Sequence, residues 1–251
     1  MKKRLPAILK RLASTRPSLK GKKLARQKKI LDLHAPRLLM DLSQPKFVTE
    51  GDMQPADVLL CAKGTDVVSK IISEASAGDY VHAAIYVGNG QVIEAVRKGV
   101  VKVKLADVIA RYTYIAVTRC PGTKPNGRPD LSRKVVEFCE DLVISGAKYN
   151  LKGAILSPKR ELIKLQELEG KYIYHPPQGQ NKRADGYYCS QLVVDAFTYG
   201  GYIPESQNDS ASSTPSSLAE HCLVELVGYI GDRSRADYIR KIDYWLTGTS
   251  L

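Results

Sequence analysis

Two apolar runs, 81–87 and 91–96, flank Gly88-Asn89-Gly90 and read as the arms of a β-hairpin, so this chain must build part of its core on antiparallel strands. The length of the loop then decides which side chains share a face, because strand side chains alternate with period two. A two-residue Asn89-Gly90 loop pairs Gly88 with Gln91, sets Glu94 opposite Ile85, and turns Glu94 away from His82. A three-residue loop, with a type I turn over Gly88-Asn89 and Gly90 left-handed as a bulge, pairs Val87 with Gln91 and sets Glu94 opposite Ala84. We expect the second register, for which Gly90 supplies the positive φ. His82 and Glu94 are then diagonal neighbours roughly 7–8 Å apart at the backbone, a gap that a Glu side chain can bridge to an imidazole.

A second segment, Tyr187-Tyr188-Cys189-Ser190-Gln191-Leu192, follows the turn signal Asp185-Gly186. Leu192, Val193, Ala196 and Phe197 recur at helical spacing before Gly200-Gly201 ends the pattern, which places Cys189 in the first turn of a buried helix. Unpaired amides and the helix dipole there favour an anionic sulfur, and the Cys189 amide itself can donate to an oxyanion. Each residue alone has a plainer explanation. Cys189 is one of five cysteines and could be a small buried hydrophobe, His82 a satisfied polar residue, and Glu94 a solvent-facing strand residue. Taken together they form a candidate nucleophile (Cys189), its base (His82) and the base's orienter (Glu94).

These residues resemble the circularly permuted branch of the NlpC-like cysteine peptidases, papain-fold enzymes whose relatives include lecithin:retinol acyltransferase. Asp57-Val58-Leu59-Leu60 is similar to the opening strand motif, His82 to Gly88 to the catalytic His strand, and Val92-Ile93-Glu94-Ala95 to the strand of the third residue. Lys148-Tyr149-Asn150-Leu151 resembles a motif preceding the nucleophile, Tyr188 to Val193 the nucleophile helix, and Thr214-Pro215-Ser216-Ser217-Leu218-Ala219 a segment just after it. The resemblance spans about residues 52–231. It implies Cys189 as nucleophile, His82 as base, Glu94 as orienter, and Tyr149 as a candidate oxyanion or substrate contact. The order His, Glu, Cys implies the permuted branch, since the Cys comes first in the unpermuted enzymes. Gln191 stands where a Glu is frequent, and 157–183 matches no part of the pattern. The fold expected is α+β: a permuted papain-like antiparallel sheet packed against the helix that carries the nucleophilic Cys, with a basic helical N-terminal arm.

Charge divides the chain into an arm, 1–50, and a near-neutral body, 51–251, which the resemblance implies is a papain-like cysteine hydrolase domain. Residues 1–50 hold 14 Lys plus Arg against 3 Asp plus Glu, a net of +11 out of a total of +12. Leu5, Ile8, Leu9 and Leu12, flanked by Lys2, Lys3, Arg4, Lys10 and Arg11, have the pattern of a basic amphipathic helix suited to an anionic membrane. The denser run 20–29 suits lipid or nucleic-acid phosphates. No aromatic residue interleaves it, which argues against specific single-strand recognition. A solvated arm packed on the domain is the plainer alternative. No apolar run long enough for a signal peptide or a membrane span is present, and five cysteines without a CxxC pair do not make a disulfide framework. Cytoplasmic synthesis is therefore expected, with membrane-surface association or non-classical export if the target lies outside. Cys61, Cys120, Cys139 and Cys222 read as buried thiols. His175, His221 and Cys222 are the candidate metal ligands, but adjacent side chains diverge and no second pair has zinc-like spacing, so neither metal nor cofactor is expected.

The remaining pattern predicts strands at 57–61, 100–103, 115–119 and 223–230, and helices at 66–76, 105–111, 130–144 and 189–199. It leaves an irregular stretch bearing Tyr172, Tyr174 and His175, and a Ser-rich loop at 205–217. Three functions fit. The first is a thiol hydrolase of amide bonds, with cell-wall-type peptide as the substrate that the resemblance implies. The second is a lipid-ester hydrolase or acyltransferase using the same trio at a membrane. The third is a non-catalytic membrane or nucleic-acid binding protein.

Overall fold

The computed structural model describes residues 45–64, 80–170, 186–220 and 223–247. The expected arm up to residue 44, the helix at 66–76, the Tyr172 to Pro177 stretch, His221 and Cys222 lie outside these residues. The fold is α+β. Strands β1 (Val58–Gly64), β2 (Tyr80–Gly88), β3 (Gln91–Val96), β4 (Gly99–Lys104), β5 (Tyr112–Arg119) and β8 (Glu225–Ile230) form one sheet in the order β4-β3-β2-β1-β5-β8, each pair antiparallel. A separate parallel pair joins β6 (Lys148–Tyr149) to β7 (Gly186–Tyr187). Helix α1 (Leu105–Arg111) links β4 to β5. Helices α2 (Leu131–Ile144), α3 (Leu151–Gly170), α4 (Cys189–Tyr199), α5 (Pro215–Glu220), α6 (Ala236–Ile242) and α7 (Tyr244–Thr247) complete the described α-helices. None of the described helices is long and apolar enough to cross a membrane.

Alternation along the strands divides the core between the two sheet faces. Leu60, Ala83, Ile85 and Ile93 pack against Leu192, Val193, Ala196 and Phe197 of α4 and Val135, Phe138, Cys139 and Leu142 of α2. Leu59, Ala84, Tyr86, Val92 and Val117 face the other way, onto Leu105 and Val108 of α1 and onto Val48 and Met53. The start of β1 is pinned by Asp57, which is fully buried and takes both Nε and Nη2 of Arg119 at 2.7 Å. Residues ahead of β1 extend the far edge of the sheet: Val48 donates to the Tyr229 carbonyl and Tyr229 donates to that of Lys46, each at 2.8 Å. Position 228 must be glycine for this contact, since a Cβ there would sit 2.6 Å from Val48 Cγ1 and 2.7 Å from the Lys46 carbonyl oxygen.

The hairpin meets the sequence expectation by a different route. Gly88, not Val87, lies opposite Gln91, so the loop is the two-residue Asn89-Gly90, with φ of 51° and 66° at its two positions. Tyr86 is nevertheless opposite Val92 and Ile85 opposite Ile93, because Val87 is an extra residue bulged out of the ladder beside Gly88 at φ 94°. The bulge shifts the pairing by one and gives Glu94 the phase that the longer loop would have given it.

Two regions were not legible in the sequence. The stretch expected to be irregular is helical as far as Gly170, although Pro158 stands inside it. Proline removes the donor to the carbonyl four residues back, and the Ser157 hydroxyl supplies one instead, 3.1 Å from the Ala154 oxygen. After β8, α6 and α7 meet at Asp243, which is fully buried and accepts from Tyr80 Oη and Tyr229 Oη at 2.6 Å each and from the Trp245 amide at 3.0 Å. Burial raises its pKa, against the tyrosine hydrogen bonds that lower it. Asp243→Ala strands two buried hydroxyls and uncaps α7, and should cost about 3 kcal/mol or more. A urea midpoint within about 0.3 M of wild type would show instead that the C-terminal helices are not tied to the sheet through this carboxyl.

Candidate active site

Nothing in the sequence suggested that the β2–β3 ladder stops short, yet that break makes the site. Pairing ends at Ile85 opposite Ile93, leaving the stretches that carry His82 and Glu94 unpaired with each other. Tyr86 turns its amide toward β1, donating to the Asp57 carbonyl. By alternation the Ala83 amide therefore points toward β3, where no strand partner meets it. The Cys189 sulfur takes this place and accepts from the Ala83 amide. A second irregularity, opposite the Cys61/Ala62 step, precedes His82 and re-aims the strand there.

The three side chains singled out in the sequence lie in one line of contacts. His82 Nε2 donates to Glu94 Oε2 at 2.9 Å, which leaves the other ring nitrogen for the Cys189 thiol, with which the ring also shares a hydrogen bond. All are buried: Cys189 is 3% exposed, His82 7% and Glu94 1%. Cys189 opens α4, with Tyr188 extended at the N-cap, and the Ser190 amide also donates to the sulfur. Tyr149 is partly buried and pairs with Tyr187, two residues before Cys189. Asn150 reaches the helix of the thiol through Gln191 Oε1 at 3.5 Å and caps α3 at the Gly153 amide, 2.7 Å away.

Burial disfavours each charge in this line, but the partners outweigh it. The Cys189 thiol is resisted by desolvation yet held below its ordinary range by the His82 ring and the Ala83 and Ser190 amides. For His82, desolvation is overcome by Cys189 and Glu94, and its pKa is pushed up to about 10. Glu94 is lowered, the His82 and Arg111 contacts prevailing over burial. The arrangement thus favours negative charge on the Cys189 sulfur, positive charge on the His82 ring and negative charge on Glu94. The linked stabilities have opposite signs. The raised His82 contributes fully below its unfolded value of about 6.5 and loses this as pH rises through about 10. The lowered Cys189 contributes above the ordinary thiol range of about 8.5, and loses this as pH falls through its folded value.

Two neighbours escaped the sequence reading. Arg111 Nη2 holds the second carboxylate oxygen of Glu94 at 2.7 Å. Tyr112 lies parallel to the His82 ring, with centroids 5.7 Å apart and planes 8° apart. A cation in the last turn of a helix is an ordinary companion of the dipole, so Arg111 carried no signal in the sequence. Cys61, opposite His82 on β1, is pushed far up by burial and by Glu94.

No protein-family model matches the chain. Among curated proteins, the chain is 27% identical over 189 residues to the probable lipoprotein peptidase YaeF of Escherichia coli (strain K12), an alignment that covers 69% of this chain. The chain spans 65% of the length of that relative. Among solved structures it is similar to the metalloprotein yiiX of Escherichia coli O157:H7, at 16% identity and a TM-score of 0.47, over 72% of this chain and 99% of that one.

Proposed function

We propose that this chain is a cysteine hydrolase of peptide amide bonds, a papain-like enzyme permuted so that base and orienter precede the nucleophile. The observation that carries the reading is the buried Cys189 sharing a hydrogen bond with an imidazole whose far nitrogen is fixed to Glu94 at 2.9 Å. The distant similarity to a peptidase-named protein supports a peptide substrate. In the reaction the Cys189 thiolate attacks the amide carbonyl carbon, and the Cys189 amide at the helix start stabilises the oxyanion. His82 gives its proton to the nitrogen as the C–N bond breaks, the amine leaves, and a thioester remains on Cys189. A water molecule then attacks the thioester, His82 accepts its proton, the C–S bond breaks, and the acid is released with the thiol pair regenerated. Tyr149 stands near the start of that helix as a substrate contact.

Turnover of peptidyl-aminocoumarins, with intact-mass trapping of the acyl-enzyme, tests this. A hydroxylamine-sensitive acyl adduct on Cys189 and amine release supports the reading. An adduct on another residue, or turnover indifferent to Cys189, overturns it. A parallel set of lipid esters separates the amide reading from the lipid one, whose basis in the chain is the arm outside the described residues. Glu94→Gln should retain more turnover than a loss of Cys189 or His82, because an orienter acts through alignment and tautomer. Activity equal to wild type would remove Glu94 from this role.

A further inference from the structure

The two oxygens of the Glu94 carboxylate are both taken, and by groups of opposite standing. One faces the buried His82 ring at 2.9 Å, and the other faces Arg111, whose side chain is 39% exposed. The guanidinium is itself held in place. Its Nε donates to the Asp107 carbonyl of its own helix at 3.1 Å, and its Cζ lies 5.6 Å over the Tyr112 ring. Tyr112 in turn stacks on His82. Consecutive residues at the α1–β5 junction therefore touch both the carboxylate and the ring of the candidate site.

We infer that Arg111 is a positioning residue of this site, fixing one Glu94 oxygen so that the other meets the His82 ring in one orientation. The inference rests on the cysteine-hydrolase reading. Its physical basis is that a carboxylate 1% exposed, held by a single ring hydrogen bond, can rotate away or take up a proton, and either change deprives the imidazolium of its partner. A charge-paired donor at the second oxygen prevents both. Exposed ion pairs contribute little, but here one partner is buried and lies in direct contact with the base. The line Cys189, His82, Glu94, Arg111 alternates in sign, and Arg111 supplies the outer cation that makes the line neutral.

The test is the rate of iodoacetamide labelling of Cys189 against pH, read by mass spectrometry, in wild type, Arg111→Gln and Arg111→Lys, each with and without Glu94→Gln. If Arg111 acts through Glu94, Arg111→Gln slows labelling near pH 6 by about tenfold and moves the acid limb of the profile upward, because Glu94 then protonates more readily. Arg111→Lys recovers most of the loss. In the Glu94→Gln background the Arg111 change adds less than about twofold, the mark of residues acting as one unit. An unchanged acid limb in a folded Arg111→Gln protein, or effects that simply multiply, overturns the inference and leaves Arg111 as a staple between helix and strand. Should Arg111→Gln not fold, Arg111→Met with and without Glu94→Gln decides it: an upward limb shift only when Glu94 is present supports the inference, and a profile identical to wild type overturns it. Slow wild-type labelling with an ordinary thiol midpoint overturns the cysteine reading itself. Fast wild-type labelling with indifferent Arg111 variants removes only the inference.

Discussion

Cys189→Ala is expected to lower turnover by at least about ten thousandfold while the protein still folds. Little stands in the way of folding. Replacing the thiol by hydrogen removes one heavy atom from a core that includes Leu192, Val193 and Phe197, a loss of about 1 kcal/mol, and the melting temperature should move by only a few degrees. His82 keeps its bond to Glu94 in the variant but loses the thiolate, the leading group that holds its pKa up. Its imidazole should therefore titrate well below about 10, which histidine proton resonances followed against pH can show. Retained turnover in a folded Cys189→Ala protein would place the chemistry on another residue. A His82 titration unchanged by the substitution would mean that the thiol and the ring are not electrically coupled.

His82→Ala has the second largest expected effect, and its signature is a displaced pH profile. In wild type the His82 ring lowers the Cys189 pKa against burial, so alkylation of Cys189 should reach half its maximum below the ordinary thiol range. Without the ring, the desolvation that was outweighed prevails, and the half-maximum should rise above about 9. At about pH 6 the variant should label at least about tenfold more slowly, even though the thiolate that does form is intrinsically more nucleophilic. Cys61, Cys120 and Cys139 serve as internal controls. All three are pushed up by burial, so they should stay unlabelled near neutrality in both proteins. A wild-type midpoint at the ordinary thiol value, unmoved by the substitution, would refute the pairing.

The parts of the fold that could be read from the chain are those set by local periodicity and by turn chemistry. The 3.6-residue pattern of Leu192, Val193, Ala196 and Phe197 located the helix that Cys189 opens, and Gly88-Asn89-Gly90 located the hairpin. The phase of Glu94 relative to His82 came out as expected although the turn did not, because a bulged Val87 and a longer loop displace the register by the same single residue. Other features depend on partners far apart in the chain. Asp243 owes its burial to Tyr80, 163 positions away, and a lone Asp near a C-terminus carries no mark of such a partner. Pro158 reads as a helix end unless the Ser157 hydroxyl is known to reach the carbonyl it leaves open. Arg111 looks like any cation closing a helix until α1 is docked beside β3.

The unpaired stretch between β2 and β3 also bears on how this protein tolerates change. The group that the Ala83 position offers to the sulfur is a main-chain N–H, present whatever side chain the codon specifies, with proline as the exception. A conventional scan of side-chain replacements would therefore record position 83 as a matter of size alone and pass over its part in holding the thiolate. For the same reason, a covalent inhibitor seated on Cys189 would touch a wall that point mutation to any residue but proline can crowd but cannot chemically erase.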